Sequence, residues 1–218
     1  MKKRFLTVLT VATLAIAFTS CKDKAKEAET TEAEVAAETT DVSTKYIVDT
    51  ERSTIMWTGH KPTGSHNGTI ALDSGVVTLN NDTLESGTFL IDMNSITVKD
   101  IPAEEEDNAK LTGHLKSPDF FHVEQFPVSA FEVTGMETVE GKTMLSGNLK
   151  MKDAVNNIKI PVTVDQNGDA LTITSETFTI DRSKWNVQYG SKSFFDNLGD
   201  KFINDEIELQ INITATKA

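Results

Sequence analysis

The chain has 218 residues, 38% of them hydrophobic, and carries 21 basic against 33 acidic side chains for a formal charge of −12. That apolar content supports one packed domain with an accessory segment and excludes a wholly disordered chain. The acidic balance excludes a nucleic-acid binder, which needs a basic footprint, and disfavours electrostatic docking on anionic lipid.

Residues 1–20 read as a leader. "MKKR" is a basic n-region, "FLTVLTVATLAIAF" is an apolar h-region too short for a comfortable span of about 20 residues, and "TS" supplies small residues before Cys21. Cys21 is the only cysteine, so no intramolecular disulfide forms. "FTSC" resembles a bacterial lipobox, with Phe18 where leucine is commonest, and lipidation of Cys21 is the expectation. Loss of the leader removes Lys2, Lys3 and Arg4 and leaves the mature chain still more acidic.

Residues 21–44 follow as a lipidated, disordered tether. They are rich in Ala, Glu, Thr and Lys, contain no aromatic residue, and offer too little apolar surface to pack. A flexible segment of this length spans roughly 25–29 Å. It would hold a folded domain, residues 45–218, clear of a bilayer.

From Tyr46 the apolar residues recur with period two. Ile55 and Trp57 share a face, as do Phe89, Ile91 and Met93, then Leu145, Leu149 and Met151, then Ile158, Ile160, Val162 and Val164. Leu171 pairs with Ile173, and "EIELQINITA" sets Ile207, Leu209, Ile211 and Ile213 against Glu206, Glu208, Gln210 and Asn212. Such alternation predicts antiparallel strands with one wet and one dry face. Turn chemistry falls at 80–82, 140–142, 156–158 and 166–169. Eight or nine strands in an all-β barrel or sandwich result. Pro161 inside a strand-like run predicts an edge or a bulge.

Two stretches break the period. Residues 101–122 read as helix in two pieces, the second starting at Ser117 as N-cap with Pro118 at the first helical position. Residues 191–202, "SKSFFDNLGDKF", form the other break. The phenylalanines Phe120, Phe121, Phe126 and Phe131 read as a plug closing one barrel end, and the rim of its cavity if the barrel is hollow.

Few motifs carry chemistry. No HExxH, CxxC, GxSxG or phosphate-binding loop is present. His60, His66 and His114 could assemble a metal site in space, which makes a metal-dependent enzyme one competing reading. A surface interaction module with a filled barrel is another. In "FTIDRSKWNVQYG", Arg182 would meet an anionic head group and Trp185 line a cavity, or Asp181 and Arg182 would pair and cap a turn with Trp185 as core. Sequence alone leaves both readings open.

The blocks "LTGHLKSPDFFHVEQFP", "LSGNLKMKD" and "IDRSKWNVQYG", with the "IELQINITA" ending, resemble the YceI-like family from about Tyr46 to Ala215. The resemblance implies an extended eight-stranded antiparallel β-barrel of lipocalin-like shape, with short capping helices and a long isoprenoid chain inside. No cofactor is implied. By strand phase, Trp57, Ile70, Phe89, Ile91, Phe131, Leu145, Leu149, Ile160, Ile173, Leu209 and Ile211 should face inward. His66, His114, Phe120, Phe121, Arg182, Trp185 and Tyr189 sit in the family-specific blocks and are the ligand-binding candidates near the mouth. The best-known members of that family are soluble, so the lipobox is a departure. The expectation is a non-enzymatic binder of a long-chain lipid in the cell envelope, anchored through Cys21 at the outer membrane on its periplasmic or surface face.

Overall fold

Strands whose side chains alternate between faces can bury one side and wet the other. The computed structural model, which describes residues 25–81 and 83–218, is built on that alternation. The leader, Cys21 and part of the expected turn at 80–82 lie outside the described residues. In chain order come β1 (Lys26–Glu27), β2 (Glu29–Glu32), β3 (Thr44–Val48), β4 (Thr54–Lys61) and β5 (Gly64–Ile70). Next are β6 (Leu72–Asn80), β7 (Thr83–Asp92), β8 (Thr97–Val98) and a helix, α1 (Glu106–Lys116). The chain ends with β9 (Val128–Val139), β10 (Lys142–Met151), β11 (Ala154–Asn167), β12 (Ala170–Ser175), β13 (Phe178–Asp181) and β14 (Glu206–Lys217).

The fold is all-β. Strands β3, β6, β7, β9, β10, β11, β12 and β14 pair in that order, and β14 returns to β3, closing an eight-stranded antiparallel barrel. Strand β14 is long enough to serve twice. Its end pairs with β3 and β12, while its start, Glu206–Asn212, pairs with β4 on one side and β13 on the other. This second tier extends the barrel wall, and β5 and β8 continue it. Gly68 permits the last step, because a Cβ there would lie 1.7 Å from the Thr97 carbonyl oxygen. Among the described residues no helix is long and apolar enough to cross a membrane.

The expected tether is not free from residue 26 onward. Instead β1 pairs in parallel with β13, and β2 pairs antiparallel with β11 (Thr30 opposite Ile158). The chain then wraps the outside of the barrel as a belt. Glu34 N–H donates to Asn148 Oδ1 at 2.9 Å, and Asn148 Nδ2 donates back to the Glu34 carbonyl at 2.7 Å. Ala37 N–H reaches the Val133 carbonyl, and the Thr39 and Ser86 hydroxyls meet at 2.8 Å. Asn148, Asn157, Ser86 and Thr78 are therefore buried on the barrel's outer face. The physical reason for the misreading is the nature of the grip. Nearly all of it is backbone and polar hydrogen bonding, which composition does not register.

Glu85 fastens the belt's far end. It accepts from the Ser43 hydroxyl, from Thr40 N–H at 3.1 Å and Thr40 Oγ1 at 2.9 Å, and from Asn80 Nδ2 at 3.2 Å. Led by the Ser43 bond, these donors lower its pKa from 4.5 to about 2. A depressed carboxylate stabilises the folded form above its ordinary pKa and loses that contribution as pH falls through the folded value. NMR signals of Thr39–Ser43 should thus drift toward unfolded positions as pH falls from 4.5 to about 2, while those of β9 and β10 hold. Signals that stay fixed would show that Glu85 does not fasten the belt.

Two local expectations are corrected, and the one for Pro161, a local edge, is met. Ser117 does not start a helix; it ends α1, donating its hydroxyl to the His114 carbonyl at 2.8 Å, and turns follow through Phe121. Pro118 forces the residue before it out of the helical region, and Ser117 is extended at φ −68°, ψ 166°. The expected turn at 156–158 lies inside β11, whose hairpin turns instead near Lys152, at φ 54°. Pro161 falls between the two partners that β11 takes on one side, β2 over Asn156–Lys159 and β12 over Val162–Asn167. A residue lacking an N–H fits that unpaired position.

Candidate functional site

The inward faces line two adjoining chambers. The upper is lined entirely by aliphatic and phenylalanine side chains, among them Phe89, Phe131, Leu145, Ile158, Ile160 and Phe178. The lower lies toward α1 and is lined by Trp57, Ile70, Met93, Leu115, Phe120 and Phe121, with Arg182 and Asn204 at its wall. Ile55, Ile91, Leu149 and Leu209 belong to both and form the waist between them. Counted over positions open to the centre of a water molecule, the chambers measure about 80 and 120 Å³. On that measure about 10–15 Å³ holds one water, so these are more than packing defects, yet slim. Gly147 sets the shape locally: the Phe131 ring tip lies 2.2 Å from where its Cβ would stand, so only glycine lets that ring lie flat on β10.

All eleven residues expected to face inward line one chamber or both, including Ile173 and Ile211 above and Ile70 below. The lower chamber also takes Met93, Leu115, Ile180, Ile203 and Ile207. Ile180 and Ile207 were readable from the alternation around them. Met93 continues the face of Phe89 and Ile91, whereas Leu115 and Ile203 come from connections with no period.

Arg182 is fully buried and acts as a clamp. Its Nε donates to the Asn204 carbonyl at 3.1 Å, Nη1 to Val187 at 2.6 Å and Nη2 to Ile203 at 3.1 Å. Its charge is met by Asp205, 3.3 Å away, while Asp181 instead caps the following turn through Ser183 N–H. Burial pushes the guanidinium pKa down, against the pull of Asp205 and then Asp181. Trp185 is likewise buried, donating Nε1–H to the Leu149 carbonyl at 2.8 Å, and packs as core beside β10. Trp57 differs. Its indole N–H is buried at the wall of the lower chamber and finds no partner among the described residues.

The cap closes over this end. Phe120 and Phe121 are buried, with rings 5.0 Å apart, and the Phe120 ring lies 5.3 Å from the Arg182 guanidinium carbon. His114, on the last turn of α1, meets Tyr189 edge-on at 4.5 Å, and Tyr189, Phe194 and Phe195 are exposed at the rim. His66 is not at this cluster. Its Nδ1 lies 2.8 Å from Asp100 Oδ2. Burial works against the Asp100 charge, but the Asn67 N–H and His66 together hold its pKa below the usual value.

His60 contacts Glu208 at 3.0 Å, so the three histidines of the metal reading sit on three separate partners. Among the described residues no three His, Cys, Asp or Glu side chains gather as a metal-ligand set.

A sequence model of the YceI-like domain matches residues 46–215. No curated protein matches the chain by sequence. Among solved structures, Burkholderia cenocepacia BcnA is similar at 22% identity and a TM-score of 0.61, over 78% of this chain and 99% of that one. A polyisoprenoid binding domain from Saccharophagus degradans, implicated in plant cell wall breakdown, is similar at 13% identity and a TM-score of 0.57, over 79% and 98%. Both likenesses are of fold.

Proposed function

The chain belongs to the YceI-like family, and on that premise we propose that it binds a long, slim, apolar lipid of isoprenoid type along the barrel interior. The observation that carries this reading is the pair of adjoining chambers, whose upper member is lined by hydrocarbon alone. A polyprenyl chain is nearly all hydrocarbon, and moving each CH₂-sized unit out of water is worth about 0.8 kcal/mol. Polar residues occur only around the lower chamber, whose lining includes Arg182 and Trp57, the latter with an N–H that has no acceptor among the described residues. The ligand's polar end sits there, with an oxygen accepting from Trp57. That the related Saccharophagus degradans domain is described as polyisoprenoid-binding is in keeping with this ligand class.

The protein on this reading is a binder, not an enzyme. The lipobox-like "FTSC" makes it an envelope lipoprotein, held through Cys21 at the outer membrane and storing, presenting or scavenging lipid there. The test is native mass spectrometry of the chain after exposure to vesicles carrying a long-chain polyprenol, followed by solvent extraction. A one-to-one complex whose extracted ligand is the polyprenol is the expected result. Protein that stays empty after that exposure would overturn the reading.

A further inference from the structure

Among the described residues, neighbouring strands of the barrel wall fail to pair at a gap between β11 and β13. Above it β11 pairs with β12 over Val162–Asn167. Below, β13 pairs with β14 and the start of β11 pairs with β10, and between β11 and β13 runs the belt segment Lys26–Glu32. This wedge begins where Glu176 and Thr177 separate β12 from β13 and where Pro161 leaves β11 without a second partner.

The segment that fills the wedge is lightly held. It matches two residues of β13 and four of β11. Ala28 is its one buried apolar side chain, the smallest that could serve. Its ion pairs, Glu27 to Lys184 at 3.5 Å and Glu29 to Lys159 at 3.9 Å, are solvent-exposed and therefore weak. Its remaining bonds are backbone hydrogen bonds, which water can replace. The capped end is different, since there a fully buried Arg182 ties three carbonyls and Phe120 and Phe121 fill the opening. Flanking the belt on its two sides are Ile158 and Phe178, opposite Thr30 and Lys26 in the register and both part of the upper chamber lining.

We propose that Lys26–Glu32 is a displaceable wall strand whose release opens a lateral slot between β11 and β13, through which a long apolar chain enters the barrel sideways. The proposal rests on the lipid-binding reading for its cargo but on the wedge alone for the slot. Side entry suits a flexible chain because its whole length is admitted at once. Endwise threading at the capped end would instead have to break the Arg182 clamp and pass the waist at Leu149.

The test uses the full chain with Cys21→Ser and two added thiols, Glu29→Cys and Lys159→Cys, which face each other across the β2–β11 register. Directly opposite residues in an antiparallel pair have the separation a disulfide needs. Uptake of a fluorescent polyprenol from phosphatidylcholine vesicles should be at least about tenfold slower in the oxidised form than in the reduced form. Equal rates in the two forms would overturn the slot. No uptake in either form would instead overturn the lipid reading, and hydrogen exchange then decides the slot without a ligand. The Ala28 amide, bonded to the Thr179 carbonyl at 2.8 Å, and those of β2 should exchange at least about a hundredfold faster than the amides joining β11 to β12. Equal protection would show the belt to be a fixed part of the wall.

Discussion

Arg182→Met should lower the stability of the folded chain by about 3–5 kcal/mol, the range for removing one partner of a buried charge pair. The substitution keeps much of the side chain's bulk, so the loss is chiefly electrostatic and hydrogen-bonding. Three carbonyls, of Val187, Ile203 and Asn204, would each lose a donor in a region closed to water, and Asp205 would keep its charge without its counter-ion. Arg182→Lys should recover a part only. An ammonium replaces the charge, but a compact point donor cannot reach three carbonyls arranged around a planar fork. Urea denaturation of the parent and both variants measures this directly. A loss under about 1 kcal/mol for the Met variant would mean that the loop over 186–204 is held by something other than this clamp.

The second large effect is on binding. Leu149→Trp should weaken polyprenol binding by about a hundredfold, equivalent to three or four CH₂ units denied their place in the barrel at about 0.8 kcal/mol each. Leu149 stands at the waist with Ile55, Ile91 and Leu209, so an indole there separates the two chambers. The Leu149 carbonyl that receives the Trp185 N–H is backbone and survives the change. Overpacking should cost about 1–3 kcal/mol of stability, which the barrel can bear, while Leu149→Met keeps volume and should keep affinity. Titration against a fluorescent polyprenol reads the outcome. A folded Trp variant that binds as tightly as its parent would show that the ligand does not cross the waist.

What the sequence disclosed followed from periodicity. Residues that alternate along strands have their facing fixed by the backbone, which is why Phe89 and Ile91, or Leu209 and Ile211, could be assigned to the interior without coordinates. The lower chamber was less legible. Leu115 and Ile203 reach it from a helix end and a turn, where no period applies. The partner of Arg182 was hidden for a different reason. Asp181 is adjacent in sequence but turns away to cap Ser183, and the true partner, Asp205, arrives with β14's approach. Pro118 was read as opening a helix when it closes one, since the same dipeptide serves at either boundary and α1 upstream decides which.

The belt was the least legible element, because polar residues that grip other polar residues look like residues that prefer water. Asn148 and Asn157 gave a clue in principle, lying on strands whose outer face had no evident cover. Asn157 Nδ2 donates to Thr134 Oγ1 at 2.8 Å and to Asn148 Oδ1 at 3.1 Å, a network with no purpose on an open surface. The family match begins at residue 46 and so omits the segment that completes the wall.

That segment also sets an order of events in time. Lys26 and Glu27 are among the first residues of this domain to be synthesised, yet their partners, Phe178 and Thr179, are among the last. The ribosome adds about 5–20 residues per second, so the N-terminal region stays unpaired for many seconds while the rest of the chain follows. Docking of β1 on β13 therefore waits until most of the chain has been made. A chain cut short before β13 would leave Lys26 and Glu27 without their partners, although β2 would still find β11.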